Sequence, residues 1–164
     1  MKYLDLIQKA LFEIRSIIKN SSDIRKLVYH DTVDALENNS VSVEDIEDHI
    51  VVSPIFDMTK EPFDKSTIIS IALNRSSIEE DNALAMSLLK INVLTQSDLW
   101  HLNNSLVRPL QISNLIIDLL HNQKLSSSHK MAFINLELAI LDENVNGYSL
   151  TFQMVEGSGL VNDY

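Results

Sequence analysis

Residues 131–155 read MAFINLELAILDENVNGYSLTFQMV, and this stretch decides the fold because apolar and polar residues alternate on both sides of a turn. In its second half the apolar residues point one way and the polar residues between them point the other. The apolar set is Tyr148, Leu150, Phe152 and Met154. A period of two predicts two half-buried strands, so the stretch is interpreted as a β-hairpin.

The register of this hairpin selects its turn. A two-residue Asn146-Gly147 loop would drive the polar residues Asn135 and Glu137 onto the apolar face. A three-residue loop at 145–147, with the glycine in the left-handed conformation, keeps them off that face. We predict the three-residue loop, and its register gives two apolar pairs, Ile140 with Phe152 and Leu138 with Met154.

Apolar residues spaced by three and four predict two main helices. The first covers residues 3–19 and is followed by a short helical stretch from Ile24 to about Tyr29. The second begins near Asn104 or Ser105, which keeps Pro109 within its first turn. The second stripe comprises Leu110, Ile112, Leu115, Ile116, Leu119 and Leu120.

An earlier strand pair completes the pattern. The stretch 50–65 is typical of a strand followed by a long loop, and Thr67–Asn74 with Leu88–Thr95 predict a long antiparallel hairpin. The order α-(α)-β-β-α-β-β predicts an α+β fold, with a small, mainly antiparallel sheet of about four strands packed against two main helices. We expect residues 1–156 to form one domain and 157–164 a short flexible tail.

Composition excludes several classes of function. The chain has 164 residues, no cysteine and a formal net charge of −10. Disulfides, thiolate zinc sites and thiol nucleophiles are therefore absent, and the acidic balance disfavours a nucleic-acid-binding surface. No segment is typical of a signal peptide or a membrane span, so we expect a soluble protein.

Catalytic motifs are also missing. None of the five histidines has the spacing of a helical metal site, Gly-x-Ser-x-Gly does not occur, and three glycines make no phosphate-binding loop. The acidic run Glu44–Asp48 favours a capped helix turn opened by Ser42 with Asp45, with a divalent cation site as the alternative. We expect no enzymatic activity, no cofactor and no metal.

Two loops and one aromatic residue are the candidate interface positions. The long 50–65 loop carries large apolar residues that either pack on their own domain or dock on a neighbour. The tip of the first hairpin is acidic, and Trp100 is either an interface anchor or a core residue where strand meets helix. The full set is Ile55, Phe56, Met58, Phe63, Ile78, Glu79, Glu80 and Trp100.

The order of these elements resembles tail-terminator or tail-completion proteins of tailed bacteriophages. The resemblance covers residues 3–155 and rests on the amphipathic first helix, the strand pair, Leu106–Ile112 opening the second helix, and the hairpin containing Asn146-Gly147-Tyr148. It implies a closed ring, usually a hexamer, that ends the tail tube and meets the head-completion proteins of the neck. It also implies a virion protein that is made in the host cytoplasm and has no catalytic residues. DNA would pass through the ring without being bound by it.

Edge strands give an independent reason to expect association of like copies, because an open edge is a template for pairing. Two other functions stay open. The chain is alternatively another neck or head-completion connector, or an acidic adaptor or inhibitor that binds a basic partner protein.

Overall fold

A computed structural model describes residues 2–53, 66–78, 85–127 and 129–156. Its helices and strands follow the predicted order. The helices are α1 (Lys2–Asn20), α2 (Ser22–Tyr29) and α3 (Arg108–Leu120), and the strands are β1 (Ile50–Val51), β2 (Thr67–Ile78), β3 (Ala85–Gln96), β4 (His129–Ile140) and β5 (Val145–Glu156). Short 3₁₀ turns cover Ala35–Glu37, Glu44–His49, Ser97–Leu99 and Asn103–Ser105. The predicted tail, 157–164, lies outside the described residues.

The strands form one sheet in the order β1-β2-β3-β5-β4. β1 runs parallel to β2, and all other neighbours are antiparallel. The α+β prediction is confirmed. The fifth strand is the two-residue β1, so the two predicted hairpins account for the four long strands.

One face of the sheet and the helices share a single apolar core. The three- and four-residue spacing predicted from sequence puts one side of each helix into that core, where full burial of each large aliphatic side chain contributes about 1.5–3 kcal/mol. Its fully buried members include Ile14 and Ile18 from α1, Ile112 and Ile116 from α3, and Leu89, Ile91, Leu150 and Phe152 from the sheet.

The opposite face of the sheet carries polar rows. Ser70, Asn92 and Ser149 lie side by side on β2, β3 and β5, and all three are buried. The Asn92 Nδ2 group donates a hydrogen bond to Ser70 Oγ at 3.1 Å. Lys90 Nζ lies 4.0 Å from a Glu137 carboxylate oxygen on β4. The alternation of apolar and polar residues that was predicted for β5 is therefore present in its neighbouring strands as well.

The predicted turn at 145–147 is wrong. β5 already begins at Val145, and the connecting loop consists of residues 141–144. The Asp142 carboxylate accepts hydrogen bonds from the backbone N–H groups of Asn144 at 2.7 Å and Val145 at 2.8 Å. An aspartate that satisfies backbone donors closes this loop, so no left-handed glycine is needed.

The predicted apolar pairs change with the turn. Leu138 lies opposite Tyr148 and Ile140 opposite Asn146, not opposite Met154 and Phe152. A bulge between Phe133 and Asn135 adds one residue to β4, and Phe133 takes the place opposite Phe152. The sequence pattern alone did not reveal this shift. Leu138 and Ile140 stay on the side of the sheet that faces the helices, but both are exposed.

Gly147 lies inside β5 and has no positive φ. A Cβ at this position would lie 1.8 Å from the carbonyl oxygen of Val93 on the adjacent β3. The glycine therefore permits close approach of two strands, a role different from the predicted turn.

α3 begins at Arg108, not near Asn104 or Ser105, although Pro109 does lie in the first turn as predicted. Asn104 and Ser105 have φ values of 61° and 62°, which belong to the left-handed region and cannot start a helix. The backbone before α3 is therefore a separate, tightly turned segment.

The predicted capping box is confirmed in a 3₁₀ turn. Ser42 Oγ accepts a hydrogen bond from the Asp45 N–H at 3.2 Å, and the Asp45 carboxylate accepts one from the Ser42 N–H at 3.1 Å. In the same turn the Glu47 carboxylate pairs with Lys19 and with Arg15, the latter at 2.7 Å. These two cations lower the pKa of Glu47, Lys19 contributing most.

None of the described helices combines the length and the apolar character that a membrane crossing requires.

Candidate assembly interface

Strand β4 forms one edge of the sheet. Within the described residues, no strand pairs with its outer side. The segment before β4 nevertheless covers the first half of this outer side, because the Met131 N–H donates to the Gln123 carbonyl oxygen and the Met131 carbonyl oxygen accepts from the Asn122 N–H, both at 2.9 Å. Residues 134–140 have no such partner among the described residues, and at about 3.4 Å per residue they present roughly 24 Å of open edge. Soluble proteins usually protect an edge with charges, proline or a short length, and this part of β4 has only Glu137 and the bulge. The second half of β4 is therefore suited to accept another strand.

Large apolar side chains accompany this edge. The exposed fraction of the side chain is 51% for Ile134, 61% for Leu138 and 69% for Ile140. Burial of this aliphatic surface against a partner would be favourable. Exposed apolar residues scattered singly are common on soluble proteins, but here three lie within seven residues of one open strand.

Two of these residues join an aromatic pair in what we call the hairpin patch, defined as Trp100, Leu138, Ile140 and Tyr148. The rings of Trp100 and Tyr148 lie 6.1 Å apart, centroid to centroid. A depression of about 320 Å³ between Trp100, Leu138 and Ile140 is completed by Ser97, His101 and Asn146. Trp100 Nε1 is buried and makes no hydrogen bond. The patch therefore combines an open apolar surface with an unpaired donor at its base.

The segment that carries Trp100 is held by a buried arginine. Arg108 is 1% exposed, and its own N–H donates to the Trp100 carbonyl oxygen at 2.7 Å. Its guanidinium donates four hydrogen bonds of 2.6–2.9 Å to the carbonyl oxygens of Leu27, His30, Thr32 and Leu99. Burial lowers the pKa of Arg108, and the nearby charge of Asp31 partly opposes this.

The hairpin patch differs from the rest of the chain because it is uncharged. The patch contains no Asp, Glu, Lys or Arg, whereas the protein carries a net charge of −10. Acidic residues lie beyond its end, where Asp98 and Asp142 line a neighbouring depression. The four residues of the patch itself therefore add no charge repulsion between two copies of this chain.

The YomW family model matches residues 21–154, which include α2, α3 and the five strands up to Met154 of β5, but not α1. This chain belongs to the YomW family. No curated protein matches the chain significantly. One similar solved structure is described as "Virion of native gene transfer agent (GTA) particle"; the aligned chain has 15% identity and a TM-score of 0.44, over 66% of this chain and 79% of that one.

Of the predicted interface residues of this YomW-family protein, one can be placed fully. Trp100 is half-buried, as a residue at the margin of the core would be, and it also contributes to the exposed hairpin patch, as an interface anchor would. Ile78 is the last residue of β2. The others, Ile55, Phe56, Met58, Phe63, Glu79 and Glu80, lie outside the described residues.

The sequence did not single out Leu138, Ile140 or Arg108 as functional. Leu138 and Ile140 were assigned to the core because they continue the apolar alternation of β4. They do lie on the side of the sheet that faces the helices, but no described helix covers that end of the sheet, and the sequence has no periodic signal for this.

A second surface lies on the far side of the Arg108 network. Val33 and Leu106, which are 55% and 38% exposed, border a cavity of about 70 Å³ together with Leu36 and Leu102. Asp34 and Glu37 also line it, so its rim is acidic.

The described part of the chain contains no group of three or more His, Asp or Glu residues placed to hold a metal ion.

Proposed function

We propose that this YomW-family chain is a structural protein of a phage-type virion and, more specifically, a tail terminator. In this role copies form a ring at the head-proximal end of the tail, stop polymerisation of the tube and join the tail to the neck. The resemblance in element order over residues 3–155 supports this assignment, and no enzymatic step is part of it.

The open edge of β4 is the observation that carries the proposal. Among the described residues, a lone subunit leaves the outer side of residues 134–140 of this strand unpaired and leaves Ile134, Leu138 and Ile140 exposed to water. A head-to-tail ring gives every edge the same neighbour, and closure prevents open-ended fibres. The proposed ring would therefore cover an open strand edge that, in an isolated subunit, could pair with other chains and cause aggregation.

The acidic charge supports passage of DNA rather than binding. Holding nucleic acid requires Lys and Arg to displace the counterions of the phosphates, and here 23 acidic residues outnumber 13 basic ones. A ring of such subunits would repel the DNA that moves through its pore. In infected cells the protein would be made in the host cytoplasm and then retained in the virion, at the junction of tail and neck.

The test is tube polymerisation in the presence of this protein. The tail-tube protein encoded in the same genome is assembled alone and with increasing amounts of the chain, and the products are measured by negative-stain microscopy. We expect rings at one end of each tube and shorter tubes as the ratio rises. Tubes of unchanged length with the protein remaining monomeric would contradict the assignment.

The net charge favours one other candidate, an acidic adaptor or inhibitor of a basic protein. This function predicts a one-to-one complex whose affinity falls steeply with salt, because surface charges are screened over about 10 Å at 0.1 M ionic strength. A terminator ring held by strand pairing and apolar contacts should instead be retained or strengthened as salt increases.

The remaining hypothesis is another neck connector. It predicts rings that bind head-completion proteins but leave the length of the tail tubes unchanged.

A further inference from the structure

We propose that the free protein forms a two-fold symmetric dimer in which residues 136–140 of β4 pair antiparallel with the same residues of a second copy, centred on Leu138. The inference goes beyond the ring proposed above, because it concerns the state of this edge before assembly begins. The partner is a second copy of this chain, and the direction of the backbone groups along β4 identifies it.

The open backbone groups in the second half of β4 belong to alternate residues. The Leu141 N–H donates to the Val145 carbonyl oxygen at 3.0 Å, so the backbone groups of Leu141 point inwards, towards β5. Residues of an antiparallel strand alternate between bonding one neighbour and bonding the other. Leu136, Leu138 and Ile140 therefore direct their N–H and C=O groups outwards, away from β5.

Pairing centred on Leu138 uses all three of these outward residues. Leu138 would exchange two hydrogen bonds with its counterpart, and Leu136 would exchange two with Ile140 on each side of the axis, which gives about six in all. A centre one residue later, at Ala139, leaves only Leu138 and Ile140 to pair and gives about four. A centre at Glu137 would place the two Glu137 carboxylates directly opposite each other, which is destabilising. Position 138 is therefore the favoured centre.

The side chains at the same positions would form one apolar row. Leu136, Leu138 and Ile140 lie on the face of the sheet that carries the helices. A two-fold axis perpendicular to the sheet keeps this face on the same side in both copies, so three aliphatic side chains from each copy lie next to one another. The Trp100 and Tyr148 rings of the hairpin patch flank the row in each copy.

The two-fold arrangement also keeps acidic residues apart. Glu137 would lie opposite Ala139 of the second copy, and within its own copy it lies 4.0 Å from Lys90. Asp142, in the loop after β4, is four residues from the axis, so the two Asp142 residues would lie roughly 27 Å apart at about 3.4 Å per residue. Charges at this separation are largely screened, because the Debye length is about 10 Å at 0.1 M ionic strength.

The parts of the chain that cannot pair lie outside residues 136–140. Before the bulge, the Asn122 and Gln123 backbone groups already bond Met131 on the outer side of β4. After β4 the chain turns through the loop 141–144, which is closed by its bonds to the Asp142 carboxylate. In the dimer the loop of one copy stops where the covered stretch of the other begins. The paired segment therefore matches the open segment in length.

The dimer and the ring compete for one surface. A strand edge accepts a single neighbour, so residues 136–140 cannot pair in the dimer and be covered in the ring at the same time. Isologous pairing stops at two copies and gives no fibre. The dimer therefore protects the edge of the free protein, and it must open before a ring can use that edge.

Opposite charges at position 138 test the symmetry axis, because each copy meets the same residue of its partner there. Leu138→Lys and Leu138→Glu should each raise the dissociation constant of the dimer at least tenfold, since like charges would be opposed. An equimolar mixture of the two variants should regain dimers. Phe12→Lys, at 53% exposure on α1 against 61% for Leu138, is the matched control and should dimerise like the parent. Analytical ultracentrifugation measures the association.

Disulfide formation tests the register, because the chain has no cysteine of its own. Glu137→Cys in one copy would oppose Ala139→Cys in the other, with Cα atoms about 4.5 Å apart, a distance that a disulfide can span. Two copies of one variant would have their cysteines on a diagonal of roughly 8 Å, which is too far. We expect oxidation to link the mixture and neither variant alone. Ser22→Cys, which is exposed on α2, is the control for random collision.

The outcomes separate the dimer from the tail-terminator function. Monomers of the parent at every protein concentration, or a Lys–Glu mixture that stays monomeric while the parent dimerises, would overturn the two-fold pairing and leave the tube experiment unaffected. The disulfide-linked dimer should fail to shorten tail tubes until it is reduced, and a linked dimer that shortens them like the parent would overturn the competition between dimer and ring. Unchanged tubes with a parent that dimerises as expected would overturn the tail-terminator function alone.

Discussion

Replacing Arg108 by methionine removes a guanidinium that satisfies four backbone carbonyl groups while keeping a side chain of similar length. These carbonyls belong to the end of α2, to the turn after it and to the segment preceding Trp100. The substitution therefore tests whether one buried side chain holds three parts of the chain together. It also tests whether the hairpin patch depends on that network.

The magnitude follows from the burial of each hydrogen bond. Bonds to charged groups contribute about 1.5–3 kcal/mol each, but their simple sum overstates the loss because burying a guanidinium costs several kcal/mol. Three of the four carbonyls are part-buried and can regain water, whereas the bond to Leu27 is fully buried. Leaving that carbonyl unpaired costs about 1–3 kcal/mol, so we expect a total near 4 kcal/mol, typical of a broken buried network.

The assay is urea unfolding, and Arg25→Met is the matched control. Arg25 also donates to three backbone carbonyls, at 2.7–3.0 Å, but it is only half-buried. We expect a loss of about 1 kcal/mol for Arg25→Met, with the urea slope unchanged in both variants. The single tryptophan, Trp100, should show red-shifted fluorescence in Arg108→Met alone. Equal losses in the two variants would refute the reasoning that burial makes Arg108 special.

Three further substitutions test other parts of the fold. Gly147→Ala should lower the free energy of unfolding by about 3 kcal/mol in urea melts, because its Cβ would lie 1.8 Å from the Val93 carbonyl oxygen and the two strands must separate. Asp142→Ala should cost about 1 kcal/mol by removing the acceptor for two backbone N–H groups of an exposed loop, and Asp142→Asn should restore most of it. Glu47 has a lowered pKa, so its stabilising contribution is present above its ordinary pKa of about 4.3 and is lost as the pH falls below that value. Glu47→Gln should therefore reduce the acid dependence of the urea midpoint, and an unchanged pH profile would show that its ion pairs do not contribute.

Periodicity predicted the elements of this fold well because burial itself is periodic. α1 was predicted at 3–19 and spans 2–20. Of the apolar set predicted for β5, Leu150, Phe152 and Met154 are buried in the core and Tyr148 is half-buried. The repeating side of a helix or strand is a local property of the sequence. For that reason the α+β class and the order of the elements can be predicted from the sequence.

Most of what the sequence did not reveal involves interactions between distant residues. Asn146-Gly147 was interpreted as a turn because that dipeptide is common in tight hairpins. The structure needs a glycine here for another reason, because any Cβ would clash with the carbonyl oxygen of Val93, which is 54 positions earlier. Arg108 was treated only as part of a helix start, since a charged residue gives no local indication that it will be buried among carbonyls from α2. Bulges likewise have no simple sequence signature. The exposure of Leu138 and Ile140 could not be predicted because it depends on how far the helices extend over the sheet.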